Sequence, residues 1–212
     1  QKQEAPQLVV QTMKDEAAKK SFVEKANAQG FFSIAASFSG KVPDVKAAHF
    51  ALCAGGEILL AEEADLPFFS PLFENETLQK VVHDYKPFLH CGINFSSACF
   101  DVSLTAYLLN PGTAQYDLSS LASRYLPSMT ASEATKEGTE ETVWHAMLLE
   151  KLYPVLKKSL ERQRLLSLYE TMELPLVEVL AAMEKAGIIK KGCPVVSGSR
   201  DDEAKAVLRK TA

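Results

Sequence analysis

Apolar residues come in short, bounded runs over roughly the first sixty positions and settle into a helical rhythm after Glu140. QLVVQTM predicts a short strand, and KDEAAKKSFVEKANAQG a helix closed by Gly30, whose missing Cβ suits a helix C-terminus. FFSIAASFSG fits a buried strand. VKAAHFALCAGGEILLAEE predicts two further strands joined across Gly55 and Gly56, where positive φ is cheap and a tight hairpin turn follows. The front of the chain thus reads as a strand, a helix and a three-strand meander. SPLFENETLQKVVHDYK predicts a helix running into a strand, FDVSLTAYLLNPG a helix ended by Pro111 and Gly112, and YDLSSLASRYL another short helix. SMTASEATKEGTEET is polar and poor in strand formers, the pattern of a mobile loop.

From Glu140 to Ala186 the pattern is helical throughout. Leu148, Leu149, Leu152, Leu156 and Leu160 share a face, and Leu165, Leu168, Met172, Leu176, Val179, Leu180 and Met183 repeat the three-and-four spacing. Pro175 interrupts this second series. Inside a helix a proline removes a hydrogen bond and clashes with the preceding turn, at about 3 kcal/mol, whereas in a first turn it costs little. The expectation is one helix ending near Met172 or Glu173 and another starting at Leu174 and Pro175 and closing at Gly187. The whole is a mixed α/β domain with a meandering sheet in front and helices behind.

At 212 residues and 47% apolar content the chain suffices for one compact domain. A net charge of -4 excludes a large basic field of the kind that grips nucleic acid. Cys53, Cys91, Cys99 and Cys193 have no C-x-x-C spacing, so they read as reduced cytoplasmic thiols. No apolar run approaches the roughly 20 residues that span a bilayer. QKQEAP at the start lacks an initiator methionine and reads as a linker, residues 1–6, cut from a longer polypeptide.

Two blocks carry a resemblance. ELPLVEVLAAMEKAGI, Glu173 to Ile188, follows the pattern E-x-P-L-x-x-V-L-x-x-M-E-x-x-G-[IV]. It is similar to the junction between exonuclease and polymerase domains in family A DNA polymerases of the bacterial DNA polymerase I type. GINFSSACFDVSLTAYLLNPG, Gly92 to Gly112, resembles the same family's buried FD-x-x-L-x-A-Y-L-L helix, and VVHDYK, Val81 to Lys86, the passage before it. The resemblance implies an RNase H-like, DnaQ-type 3′-5′ exonuclease fold over residues 7–168 and a junction helix at 169–188; the tail at 189–212 departs from the family, and Gly192, Pro194, Gly198 and a charge run break its apolar pattern, so it is expected to dock poorly. The resemblance also implies polymerase and 5′-nuclease domains of the same polypeptide as partners. No polymerase motif is present in this chain.

Phosphodiester hydrolysis by such a fold uses two divalent cations about 4 Å apart, which calls for a cluster of carboxylates around Mg²⁺. Mapped through the resemblance, the first strand's D-x-E pair falls on Ala35 and Ser37. The second motif's aspartate falls on Phe88 or, in another register, on Asp84; the third falls on Val143, with Glu140 and Glu141 nearby. The implied domain is catalytically inactive, without metal or other cofactor, and binds DNA weakly on its own. The alternative is an active Mg²⁺-dependent exonuclease that uses displaced acids, Asp84, Asp101 and Glu141. Asp101 also suits a helix cap or a buried hydrogen-bond partner. His49, His83, His90 and His145 are scattered, Ser96 and Ser97 lack a nucleophile context, and Phe68, Phe69 and Phe73 read as core.

Overall fold

A computed structural model describes residues 9–12, 16–42, 44–95, 98–113, 115–127 and 138–187. The proposed linker at 1–6 and tail at 189–212, together with Ser96, Ser97 and Cys193, lie outside the described residues. Strand β1 (Val9–Thr12) leads through helix α1 (Glu16–Gln29) into β2 (Phe31–Lys41), with Gly30 at φ 76 between them. The meander continues through β3 (Asp44–Ala54) and β4 (Glu57–Ala61), and the turn between them places Gly55 and Gly56 at φ 59 and 79. Two consecutive positive φ values match the right-handed twist of a hairpin, which explains the glycine pair. An extra residue, Ala48, bulges from β3 where the register steps from Ser37↔His49 to Phe38↔Ala47.

Helix α2 (Leu66–Glu74) precedes β5 (Gln79–Val82), and α3 (Lys86–His90) precedes β6 (Cys99–Asp101). The six strands form one mixed sheet in the order β1-β4-β3-β2-β5-β6, in which the meander is antiparallel while β1, β5 and β6 pair in parallel. Helices cover both faces. Phe22 of α1 meets Phe32 at 5.9 Å and Phe69 at 6.2 Å on one side. On the other side lies the long helix α6 (Thr139–Arg162), behind α4 (Val102–Leu109) and α5 (Leu118–Tyr125). Its Tyr153 ring meets Phe31 at 4.5 Å, and Ser33 Oγ donates to the Ala146 carbonyl at 2.6 Å. Alternation along β2 therefore turns odd-numbered residues, Ala35 and Ser37 included, towards α6.

The expected polar loop before Glu140 lies at 128–137 outside the described residues, but Thr139–Thr142, placed in that loop from the sequence, open α6. The helix runs on through Pro154, as the leucine series required. It ends at Gln163, where Arg164 adopts φ 60 and Leu165 N–H reaches back to the Leu160 carbonyl at 2.9 Å. Here, within the described residues 138–187, the helical run is interrupted. As expected, a helix starts at Leu174 and Pro175 and closes before Gly187, but it joins the preceding one without a gap: α7 (Leu166–Leu168) passes through a π turn at Tyr169–Glu173 into α8 (Leu174–Lys185). Leu174 N–H bonds to Tyr169 O, five residues back. The wider turn opens the helix just ahead of the proline, which sits in the first turn of α8.

Candidate functional site

The C-terminal end of β5 delivers His83, Asp84 and Tyr85 into a tight turn, with Asp84 at φ 64. Asp101, at the last position of the neighbouring strand β6, holds that turn. Its Oδ1 accepts from Asp84 N–H at 3.2 Å and Leu104 N–H at 3.1 Å, and its Oδ2 from Tyr85 N–H at 2.8 Å. Asp101 thus caps α4 and fixes the turn at once, fully buried. Tyr85 Oη extends the lock, donating to Asn94 Oδ1 at 3.0 Å and accepting from Phe95 N–H at 3.1 Å.

Between this turn, β2, α5 and α6 lies a cavity of about 230 Å³, whose lining includes Ala35, Phe38, His83, Asp84, Phe88 and His145. Ala35 is buried beside it. Phe88 is also buried, edge-on to Phe38 at 4.9 Å and tilted against Phe95 at 5.3 Å, so an aromatic layer closes one wall. His83 Nε2 lies 2.7 Å from the Tyr116 carbonyl. Asp84 accepts from Lys86 N–H at 3.3 Å. Asp84 keeps an exposed edge, yet the protein packed around its carboxyl removes part of its water and, with the neighbouring Asp101 charge, pushes it above the usual range.

Of the acids considered for a displaced centre, the structure brings only Asp84 to the cavity. Asp101 spends its oxygens on three backbone donors. Glu141 projects from the first turn of α6, half exposed, 3.9 Å from His145. Val143 is buried in the core and Ser37 sits mid-strand opposite His49. His83 and His145, which looked scattered in the sequence, converge on the cavity; only the approach of β5 to α6 reveals them. These residues do not fit a pair of Mg²⁺ ions, which take hard oxygen ligands, because the lining supplies one carboxylate and two imidazoles. Among the described residues no three His, Cys, Asp or Glu side chains are grouped so as to hold a metal.

The mixed sheet, its strand order and the covering helices define an RNase H-like fold of the DnaQ type. Escherichia coli RNase D, an exoribonuclease, superposes with a TM-score of 0.64 at 14% identity, over 81% of this chain and 50% of that one. Brucella melitensis NrnC bound to pGG superposes with a TM-score of 0.58 at 16% identity, over 80% and 91%. Within that class the chain is similar to a segment of bacterial DNA polymerase I. It is 33% identical over 138 residues to the DNA polymerase I of Treponema pallidum and 29% identical over 137 residues to that of Bacillus subtilis. These matches take in 55% and 57% of this chain but only 14% and 16% of the relatives. The POL domain of Pol1 from M. smegmatis, in complex with DNA primer-template and dNTP, shares the fold with a TM-score of 0.70 at 23% identity, over 83% of this chain and 32% of that one. No family model matches the sequence.

Proposed function

We propose that this chain is a catalytically inactive 3′-5′ exonuclease-like domain of a DNA polymerase I, serving as a scaffold within a longer replication and repair enzyme. The single observation that carries the reading is the composition of the cavity: Ala35 beside an aromatic wall of Phe38 and Phe88, with Asp84 as its one carboxylate. One anionic ligand leaves two closely spaced dications almost unneutralised. In this reading residues 7–168 form the exonuclease-like part and 169–188 the helix at the polymerase junction. The polymerase and 5′-nuclease parts of the same polypeptide are its partners, and its setting is the cytoplasm. No helix among the described residues is long and apolar enough to cross a membrane.

The alternative, active reading needs Asp84, Asp101 and Glu141 to act together. The burial of Asp101 among backbone donors weighs against it. The deciding assay is shortening of a 3′ single-stranded, end-labelled oligonucleotide by the purified chain with Mg²⁺ or Mn²⁺. No shortening is expected; time-dependent shortening abolished by Asp84→Ala would establish the active reading instead.

A further inference from the structure

The last helical run is fastened to the body unevenly. Its first half is anchored inside: Leu174 is buried, and so is Tyr169, whose Oη accepts Asp101 N–H at 2.7 Å and donates to the Cys99 carbonyl at 3.4 Å. Beyond Leu174 only Ala181 is fully buried, with Val177 half-buried against the core. A methyl group buries little apolar surface, so the end of α8 depends on polar bonds. Those bonds form a clasp with α3. Glu184 Oε2 lies 2.9 Å from His90 Nε2, its Oε1 accepts from Lys86 Nζ at 3.1 Å, and Lys86 and His90 stand one helical turn apart. The His90 side chain is only 3% exposed and its Nδ1 has no partner, so the bond to Glu184 is what satisfies the ring. Burial alone would raise the Glu184 carboxyl, but the bonds from His90 and Lys86 outweigh it and hold the group below its usual range, in the charged form. Glu184 and Lys86 nevertheless keep 34% and 32% of their side chains in water, where salt screens such a pair.

The clasp also closes a space. A cleft of about 260 Å³ lies between α3, the end of α8 and the turn from β2 to β3, and its lining includes Gly40, Val45, His90 and Glu184. Phe38, Asp84 and Pro87 line this cleft and the candidate cavity alike, so the two spaces adjoin. Helix α3 couples them further: it carries Phe88 of the cavity wall, and its Lys86 N–H holds the Asp84 carboxylate. We propose that the clasp of Glu184 with His90 and Lys86 is a latch. When it parts, the end of α8 swings off α3 about the π turn, next to the fixed Tyr169, and widens access to the cavity of His83 and Asp84 from that side. The π turn suits a pivot because its bonds are already displaced from the regular helical pattern. The device is built from contacts within this chain and stands with or without nuclease activity.

Acylation of imidazoles by diethyl pyrocarbonate, mapped by peptide mass spectrometry on the 212-residue chain, reads the latch, with exposed His49 as the reference. His90 should react about tenfold more slowly than His49 in the parent. Glu184→Ala should raise the His90 rate about tenfold and the His83 rate about threefold, and Glu184→Gln, which keeps an acceptor without the charge, should fall between parent and Glu184→Ala. Raising the salt from about 0.05 M to about 0.5 M should move the parent in the same direction. Amide exchange over residues 179–185 should quicken together with the His90 rate while β2 and β3 keep the parent rate, which distinguishes local release from loss of the fold. An unchanged His90 rate in Glu184→Ala overturns the latch. A fast His90 beside an unchanged His83 overturns the control of the cavity, and equal acceleration in β2 and β3 overturns both, because global unfolding then accounts for the labelling.

Discussion

Asp101 shows how one side chain serves two elements. A short polar residue before VSLTAYLL marks a helix start in the sequence, and the cap to Leu104 N–H follows from it. The bonds to the Asp84 and Tyr85 amides do not, because they cross from β6 to the turn after β5. Asp101→Ala leaves the buried Tyr85 amide and the part-buried Asp84 and Leu104 amides without their acceptor and should lower unfolding stability by about 2 to 4 kcal/mol, read as a shifted urea midpoint. An unchanged midpoint would mean that water replaces the carboxylate. Lys80 is the second instructive residue. It is wholly buried, with Nζ donating to the Asn75 carbonyl at 2.6 Å, and desolvation pulls its ammonium down to about 8. Between that value and the ordinary lysine value of about 10.4 the unfolded chain holds more protons than the folded one, so this group's contribution to stability rises with pH across the window. The buried Cys53 and Cys99 thiols, pushed up by burial, act in the opposite sense at alkaline pH. A difference measurement isolates the lysine: the advantage of Lys80→Met over the parent in urea unfolding should shrink from pH 7.5 to pH 10. A constant difference would refute the buried ammonium.

At the scale of elements, the helices obeyed their apolar spacing while their boundaries obeyed backbone geometry. The helix start expected at Leu174 and Pro175 is present, but a π turn rather than an interruption precedes it, anchored where Tyr169 reaches the Asp101 amide. The actual break carries no glycine or proline. Arg164 takes the left-handed conformation there because Leu165 must turn back to the Leu160 carbonyl to close α6. A side chain in that conformation is strained, and Arg164 is exposed. Arg164→Gly should therefore stabilise the fold by about 0.5 to 1 kcal/mol, seen as a raised melting temperature. A lowered melting temperature would mean that the arginine makes a compensating contact.

For the molecule as a whole, the decisive feature is what lies where two strands and a helix meet. On the proposed inactive reading, with Ala35 and Ser37 on the α6-facing side of β2 and aromatic rings along the adjoining wall, the groove would offer single-stranded DNA neither metal bridges nor a basic field. Affinity should lie in the nonspecific range of roughly 10⁻⁴ to 10⁻⁶ M and fall steeply with salt, by fluorescence anisotropy at two salt concentrations with and without Mg²⁺. Tight binding only with Mg²⁺ would contradict the inactive reading. Ala35→Asp combined with Ser37→Glu should not create nuclease activity, because Phe88 and Val143 still occupy the other positions mapped to metal ligands; shortening by that double variant would show that a second ion finds other oxygens.

What the chain determined by itself were features of short range: the glycine pair that turns the β3–β4 hairpin, the alternation of β2, the helix cap at Asp101 and the leucine face of α6. Each depends on neighbours within a few residues, where steric and hydrogen-bond preferences act on the backbone directly. Tertiary structure alone decided which titratable groups meet. His83 and His145 come together only because β5 and α6 pack across the same end of the sheet, and Asp101 stays out of the cavity only because the β5 turn brings amides to it. The apolar side of α8 follows the same rule: the spacing of Leu176, Val179, Leu180 and Met183 marks it in the sequence, but only the packing of Leu174 and Ala181 against the body leaves it outward.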